Sequence, residues 1–455
     1  MTMTAAAAPS EVLAPRAVSV ARAYRFELVK LLAQWRVRVL IGLCWIGPAI
    51  TVVVASGQGT LPADTLFGRE MHATGWAGAL VVLSFAGSWI FPLLASVVAG
   101  DVFSYEDRLG TWRHLLVAVR SPRRIFIAKA LASLTVLLVL VPGLAVSGTV
   151  GGVVAAGSRP LVGLDGHLLA PGGAAVQVLL AWVCVLAPTL AFAAIGWLGS
   201  VAFGRSPMGL LLPAVVALVM ELAQALPMPV AVRLALPSYA FIAWNGLFTS
   251  PQQLGPLLIG IAVSLAWAVT ATTLAYLLFM RRDFTSLGHD GSGRRAITFG
   301  ILPLAGLIAL TAGVVALATG ATGSGIEQGK VQQSLATAFA HLYRLQSSQL
   351  YHLTVTEAQL QVTAACDRGG GTLDPTGPGN DWRCFVYWHL PDVKDATGSA
   401  VYQLDVNPNG RFVADGDGPK EVNGYFLVRA SYGDAPNPLW QFDGNVDLLS
   451  TTPKG

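Results

Sequence analysis

Few side chains in this sequence combine the type and the spacing that chemistry requires. No HExxH or GxSxG motif occurs, and the apolar stretches hold no convincing acid pair, so the chain is not expected to be catalytic by itself. The run GATGSGIEQGK at 320–330 looks like a phosphate loop. It fails the pattern, because Ser324 stands where the first glycine belongs and Val331 follows Lys330 where Ser or Thr is needed. His341, His352 and His389 lack ligand spacing and read as structural, so no metal is expected. Cys366 and Cys384, with seventeen residues between them, suit a disulfide in an oxidising compartment, with two free thiols as the alternative. The densest charge lies at 100–131, GDVFSYEDRLGTWRHLLVAVRSPRRIFIAKAL. There Asp101, Glu106, Asp107 and Arg108 precede Gly110-Thr111, Trp112 and the pair Leu115-Leu116, and Ser121-Pro122 ends the run. This segment is either a solvated charged loop or a short amphipathic helix, about 103–119, that takes up force from a partner.

The elements that position these residues are apolar. Of 455 residues 54% are hydrophobic and 12% charged, against about 25% charged in soluble proteins. The mean hydropathy is +0.59. A soluble enzyme, a coiled coil and a disordered chain are excluded as descriptions of the whole, and a net charge of +4 is too small to argue for nucleic acid. Seven stretches, near 38–56, 76–99, 125–157, 173–202, 207–226, 255–280 and 297–319, are long enough to span a bilayer. The third exceeds that need and is expected to tilt, project, or kink at Pro142. Cys44 and Cys184 lie in spans and read as small apolar residues.

Lys and Arg set the orientation. Six fall in the segment through Arg38, six between Arg108 and Lys129, one at Arg205 and four between Arg281 and Arg295. The opposite loops hold only Arg69, Arg159 and Arg233. The N-terminus is therefore expected in the cytoplasm of a cell-membrane protein and the C-terminal segment outside. No cleavable signal peptide is visible, and residues 1–16 read as a disordered tail. Residues 17–37 form an amphipathic helix with Val18, Ala21, Phe26, Val29, Leu32 and Ala33 near one face, either a topology anchor or a gate-side helix in the interface plane.

With these residues in view, the chain resembles the permease subunits of type-2 ABC exporters. In that family the loop after the second span carries an acid, an Arg, Gly-Thr, Leu-Leu, a Pro and a Lys at the start of the third span. Here these are Glu106, Arg108, Gly110-Thr111, Leu115-Leu116, Pro122 and Lys129. The resemblance implies an elbow helix at 17–37, a six-span core at 38–282, and a coupling helix whose Glu106, Asp107, Arg108, Gly110, Thr111 and Trp112 meet the ATPase. It implies two ABC ATPase subunits carrying Mg-ATP, a second copy or a sister permease, and export of a hydrophobic or amphipathic substrate. It also implies two short re-entrant helices within about 226–252. There Tyr239, Phe241 and Trp244 form either an interfacial aromatic belt or part of an exit gate. Phe85 and Trp89 in the second span, and Glu221 in the fifth, are the remaining pathway candidates. Glu221 could contact a cationic substrate, pair with Arg233, or rest at headgroup level.

A cytoplasmic linker at 283–296, the seventh span at 297–319 and an external α+β domain at 320–455 depart from the family's minimal pattern. In the domain, Ile326, Val331, Leu335, Ala338, Phe339, Leu342 and Leu345 predict one helical stripe continuing from the seventh span. Strands are predicted at 352–356, 383–390, 401–406, 411–414, 425–430 and 439–442, with a hairpin turn at Asn409-Gly410. Such a domain could serve as sensor or scaffold, recruiting an external protein.

Overall fold

The computed structural model describes residues 18–57, 65–204, 207–284, 294, 298, 301–320, 323–391, 393, 396–417, 427–430 and 433–450. The predicted N-terminal tail and most of the 283–296 linker lie outside the described residues.

The chain is mostly helical, with a small sheet domain after the helices. A short helix α1 (Val20–Ala33) leads into α2 (Trp35–Gly57). α3 (Gly75–Phe85) passes through a π-helical turn at Ala86–Ile90 into α4 (Phe91–Ala99). α5 (Ser104–Leu109) and α6 (Trp112–Val119) are short, and α7 (Pro122–Ala156) is long. α8 (Pro171–Cys184) and α9 (Leu186–Phe203) are nearly continuous. α10 (Met208–Gln224), α12 (Leu254–Met280) and α13 (Leu302–Thr319) complete the bundle, with the five-residue α11 (Val230–Leu234) before α12. Six of these units are long and apolar enough to cross a membrane, which supports a multi-pass membrane protein. α10, with 17 residues, falls short of that length, because Ala225 and the residues after it leave the helix. It packs on its neighbours: the Ala214 N–H donates to Ser96 Oγ of α4 (3.1 Å) and Gln224 lies against Arg233 and Ser238. α7 spans 35 residues without a break at Pro142, a rise of about 52 Å.

Two sequence expectations about helices are corrected. The segment 103–119 is not one helix: Gly110 adopts φ +67° and closes α5, so α6 starts afresh at Trp112. Nor does the seventh apolar helix run on into the domain. Gly320, at φ +65°, ends α13, and α14 (Gln328–Leu350) begins eight residues later.

In the domain, α14 buries Val331, Leu335, Ala338, Phe339 and Leu342 of the predicted stripe and packs on a five-stranded antiparallel sheet of order β3-β4-β5-β6-β9, while Ile326 lies before the helix. The strands are β3 (Thr363–Arg368), β4 (Gly379–His389), β5 (Thr397–Val406), β6 (Arg411–Gly416) and β9 (Gln441–Asn445). β7 (Leu427–Ala430) and β8 (Gly433–Pro436) pair separately. Phe339 and Tyr343 of α14 meet Trp388 and Tyr402 of the sheet. The expected strand at 352–356 is instead extended chain leading into α15 (Glu357–Leu360), which Thr356 and Gln359 cap reciprocally. The sequence reading missed β3, which carries Cys366.

Cys366 and Cys384 are direct cross-strand partners on β3 and β4 and are joined by a disulfide. On the chain-entropy estimate for a loop of this size the bond contributes about 3 kcal/mol. The pair of replacements Cys366→Ser and Cys384→Ser should therefore lower the domain's melting temperature and open it to protease. An unchanged melting curve under reductant would show the bond to be dispensable.

Candidate functional site

The termini of the helices gather at two ends of the bundle, and one end carries a buried ion network. At its centre Lys129, near the start of α7 and 1% exposed, donates to Glu27 Oε2 of α1 (2.9 Å) and Glu106 Oε1 of α5 (2.8 Å). Glu106 is fully buried and also receives Lys30 and the Thr111 hydroxyl. Asp101 pairs with Arg36 and with Arg108, each at 2.5 Å. Asp107 accepts from the Trp112 indole (2.7 Å) and pairs with Arg282, just past α12. The Arg282 guanidinium stacks 5.3 Å from the Trp112 ring. Beneath lies an aromatic cluster of Phe103, Phe126, Phe279 and Phe284. Ser200 of α9 accepts the Phe103 and Ser104 N–H groups at the start of α5.

Charge and burial explain why these groups converge. Four acids (Glu27, Asp101, Glu106, Asp107) face five cations (Lys30, Arg36, Lys129, Arg108, Arg282). Buried charges persist only when paired and hydrogen-bonded. Ion pairs and the Trp112 contacts thus tie α5, α6 and Asp101 just before them at once to α1, α2, α7 and the end of α12. α1 turns Ala23, Glu27 and Leu31 inward, whereas Phe26, Val29 and Leu32 of the predicted apolar stripe face outward, as a lipid-facing side would.

The residues expected to meet a partner divide accordingly. Glu106, Asp107 and Trp112 point into the protein and Thr111 binds Glu106, so these four position the helices instead of forming a contact face. Arg108 is more exposed, and Gly110 is exposed at the turn. The outer face continues through Leu109 (55% exposed), Arg113, His114 and Val117 (75% exposed).

The pathway candidates also separate. Phe85, just before the π-helical turn, and Trp89, within it, are more than half exposed; such turns are common at functional sites. Phe85 borders an apolar groove of about 640 Å³ between α2 and α3–α4, lined also by Leu43, Pro48, Val82 and Leu94. Tyr239, Phe241 and Trp244 are instead buried, and Phe241 stacks on Phe91 and Phe192. They are part of a packed core. The predicted re-entrant helices are α11 and two 3-10 turns, Tyr239–Phe241 and Ala243–Phe248. Glu221 forms no ion pair with Arg233, which is fully buried and donates to the carbonyls of Pro408 in the domain and Leu226.

The other end of the bundle holds the domain. Besides Arg233–Pro408, Arg69 pairs with Asp443 (2.6 Å), and the amides of Gln253 and Asn445 bond (2.7 Å). Burial pushes the Glu70 carboxyl up to about 7; Arg69 lowers it and Asp443 raises it further. A raised carboxyl pKa means that the folded state holds its proton while the unfolded chain releases it. Stability from this group therefore falls as pH rises from about 4.5 to about 7. Glu70→Gln should remove that slope, measured as melting temperature against pH, and an unaltered slope would exclude Glu70 as its source.

No group of three or more His, Cys, Asp or Glu suited to a metal occurs among the described residues. No family model matches the chain, and no curated protein matches its sequence.

Proposed function

We propose that this chain is the membrane subunit of an ATP-driven exporter, powered by a separate ATPase and moving a hydrophobic or amphipathic substrate. One observation carries the reading: two short helices at the cation-rich end are locked by buried ion pairs to helices across the bundle, yet leave an outer face open. That arrangement suits a part that receives force and passes it on. In this reading two ATPase subunits bind Mg-ATP and dock on α5–α6, and the groove bordered by Phe85 faces a second copy or sister permease. The excess of Lys and Arg at the α5–α6 end supports a cytoplasmic placement of that end and an external placement of the domain. The test is a pull-down from mildly solubilised membranes with mass spectrometry of what stays bound. A stoichiometric ATP-binding protein supports the reading, and its absence under mild extraction sinks it.

A sensor or scaffold acting through the domain is the second reading. It is favoured by the hydrogen bonds and ion pairs that join the domain to the bundle. Deleting residues 320–455 separates the two, because a transporter core should retain some export.

A further inference from the structure

The charged groups at the joint of bundle and domain are spent within the protein. Asp165, between β1 (Leu161–Val162) and β2 (Leu168–Leu169), bonds His167 and accepts the Ser250 N–H (2.6 Å), and its backbone oxygen meets His341 Nδ1 (2.8 Å). His341 Nε2 and Arg344 both face Glu357.

The arginines where α1 and α7 begin are different. Arg22 and Arg25 of α1 and Arg123 of α7 are exposed, and Arg124 is half-buried. Among the described residues no acid pairs with any of the four. Arg124 Nη1 donates to the carbonyl of Val18 (2.8 Å), just before the Ser19 cap of α1, and Ser19 Oγ accepts the Arg22 N–H (3.4 Å). The two helix starts are thus held together. Arg25 follows Arg22 by three residues, so their side chains are neighbours on one face. That face looks away from the bundle, toward which Ala23, Glu27 and Leu31 turn. Neither helix carries an acid in its first turn, so two positive helix ends add to the charge. The sequence holds no acid between Asp107 and Asp165, and Glu27, the single acid of 17–37, is buried against Lys129. Arginine keeps its charge across the physiological pH range, so the surplus is permanent.

Further along α1 the same outward face becomes apolar. Phe26, Val29 and Leu32 are exposed, and Trp35 follows at the start of α2. Val29 lies about 10 Å along the axis from Arg22. An exposed Trp directly ahead of an apolar spanning helix marks the level at which that helix enters lipid. Cations followed by apolar side chains match a molecule with an anionic head and an apolar tail. An acidic protein surface would match the arginines alone. The excess of Lys and Arg supports a cytoplasmic placement of this end, and the cytoplasmic leaflet holds anionic lipids.

We propose that α1 and the start of α7 bind an anionic phospholipid, with its headgroup against Arg22, Arg25, Arg123 and Arg124 and its chains along Phe26, Val29 and Leu32. The proposal does not depend on the export reading, since binding needs no ATPase. The test uses the full chain in detergent, with short-chain phosphatidylglycerol, short-chain phosphatidylcholine and inorganic phosphate as probes and native mass spectrometry as readout. Wild type should bind phosphatidylglycerol at least about tenfold more tightly than phosphatidylcholine, whose headgroup has no net charge. Arg22→Gln/Arg25→Gln should melt like wild type, because both side chains are exposed. It should bind phosphatidylglycerol roughly 25-fold more weakly, at about fivefold for each cation near an anionic headgroup, and phosphatidylcholine about as before. Phe26→Ser/Val29→Ser should weaken both lipids alike and keep the preference between them. Equal binding of the two lipids by wild type would overturn the proposal and point to an acidic protein surface instead. Inorganic phosphate binding as tightly as phosphatidylglycerol would overturn the lipid as ligand. Wild-type affinity for phosphatidylglycerol in the arginine variant would overturn the headgroup site, and in Phe26→Ser/Val29→Ser the placement of the chains.

Discussion

Replacing Lys129 by methionine is expected to cost about 3–5 kcal/mol of folding stability, the penalty for stranding buried charge. Lys129 is the only contact that joins Glu27 to Glu106 in the ion pairs above, and both acids are buried. Without it Glu27 loses its ion pair and Glu106 keeps only Lys30, which is partly exposed to solvent. The loss should appear as a lower melting temperature of the purified chain. The comparison that isolates the mechanism is Glu27→Leu/Glu106→Gln/Lys129→Met, in which the charges leave together. Because desolvation and attraction nearly cancel in a buried ion cluster, the triple variant should recover much of what the single change loses. If Lys129→Met melts like the wild type, the three side chains do not meet as described. If the triple variant is worse than the single one, the hydrogen bonds of Glu106 to Lys30 and Thr111 matter more than the charges.

This network shows where sequence reading stops. Glu106, Thr111 and Lys129 stand out in the sequence as members of one pattern, and the fold brings all three together. Glu27, the other acid on Lys129, lies outside the pattern, on a different helix. The signal available for it is that it is the single acid in the basic stretch 17–37. An apolar stripe describes which face of a helix avoids water, and for α1 that face turned outward, as a lipid-exposed helix permits. The apolar stretches were legible because about twenty apolar residues have few alternatives to a spanning helix. The break at Gly110 was less so, since an isolated glycine is tolerated within helices and only the φ of +67° reveals its use as a cap. Asp165 and His167 drew no attention. Their partners Ser250 and His341 lie 85 and 176 residues further along, and a pairing at that distance leaves no local periodicity to read.

The second large effect is expected on the outer face of α6. Val117→Glu places a carboxylate where an apolar side chain is 75% exposed. Folding should be nearly unaffected, since an exposed substitution away from a cap or an ion pair seldom exceeds about 0.5 kcal/mol. If an ATPase seats on this face, the same change buries a charge in the contact and should weaken association by about 2 kcal/mol, or roughly 30-fold. Retention of the ATP-binding protein in a pull-down, at matched expression and melting temperature, measures it. The contrast with Glu106→Gln is the sharper part. Glu106 lies wholly inside, so its loss should leave association largely intact while loosening the attachment of α5–α6 to α1 and α7. Binding without coupled ATP hydrolysis is the expected phenotype. Should Val117→Glu bind normally while Glu106→Gln does not, the contact surface has been placed on the wrong side of these helices. Should neither change affect binding or hydrolysis, α5–α6 is not where force is received.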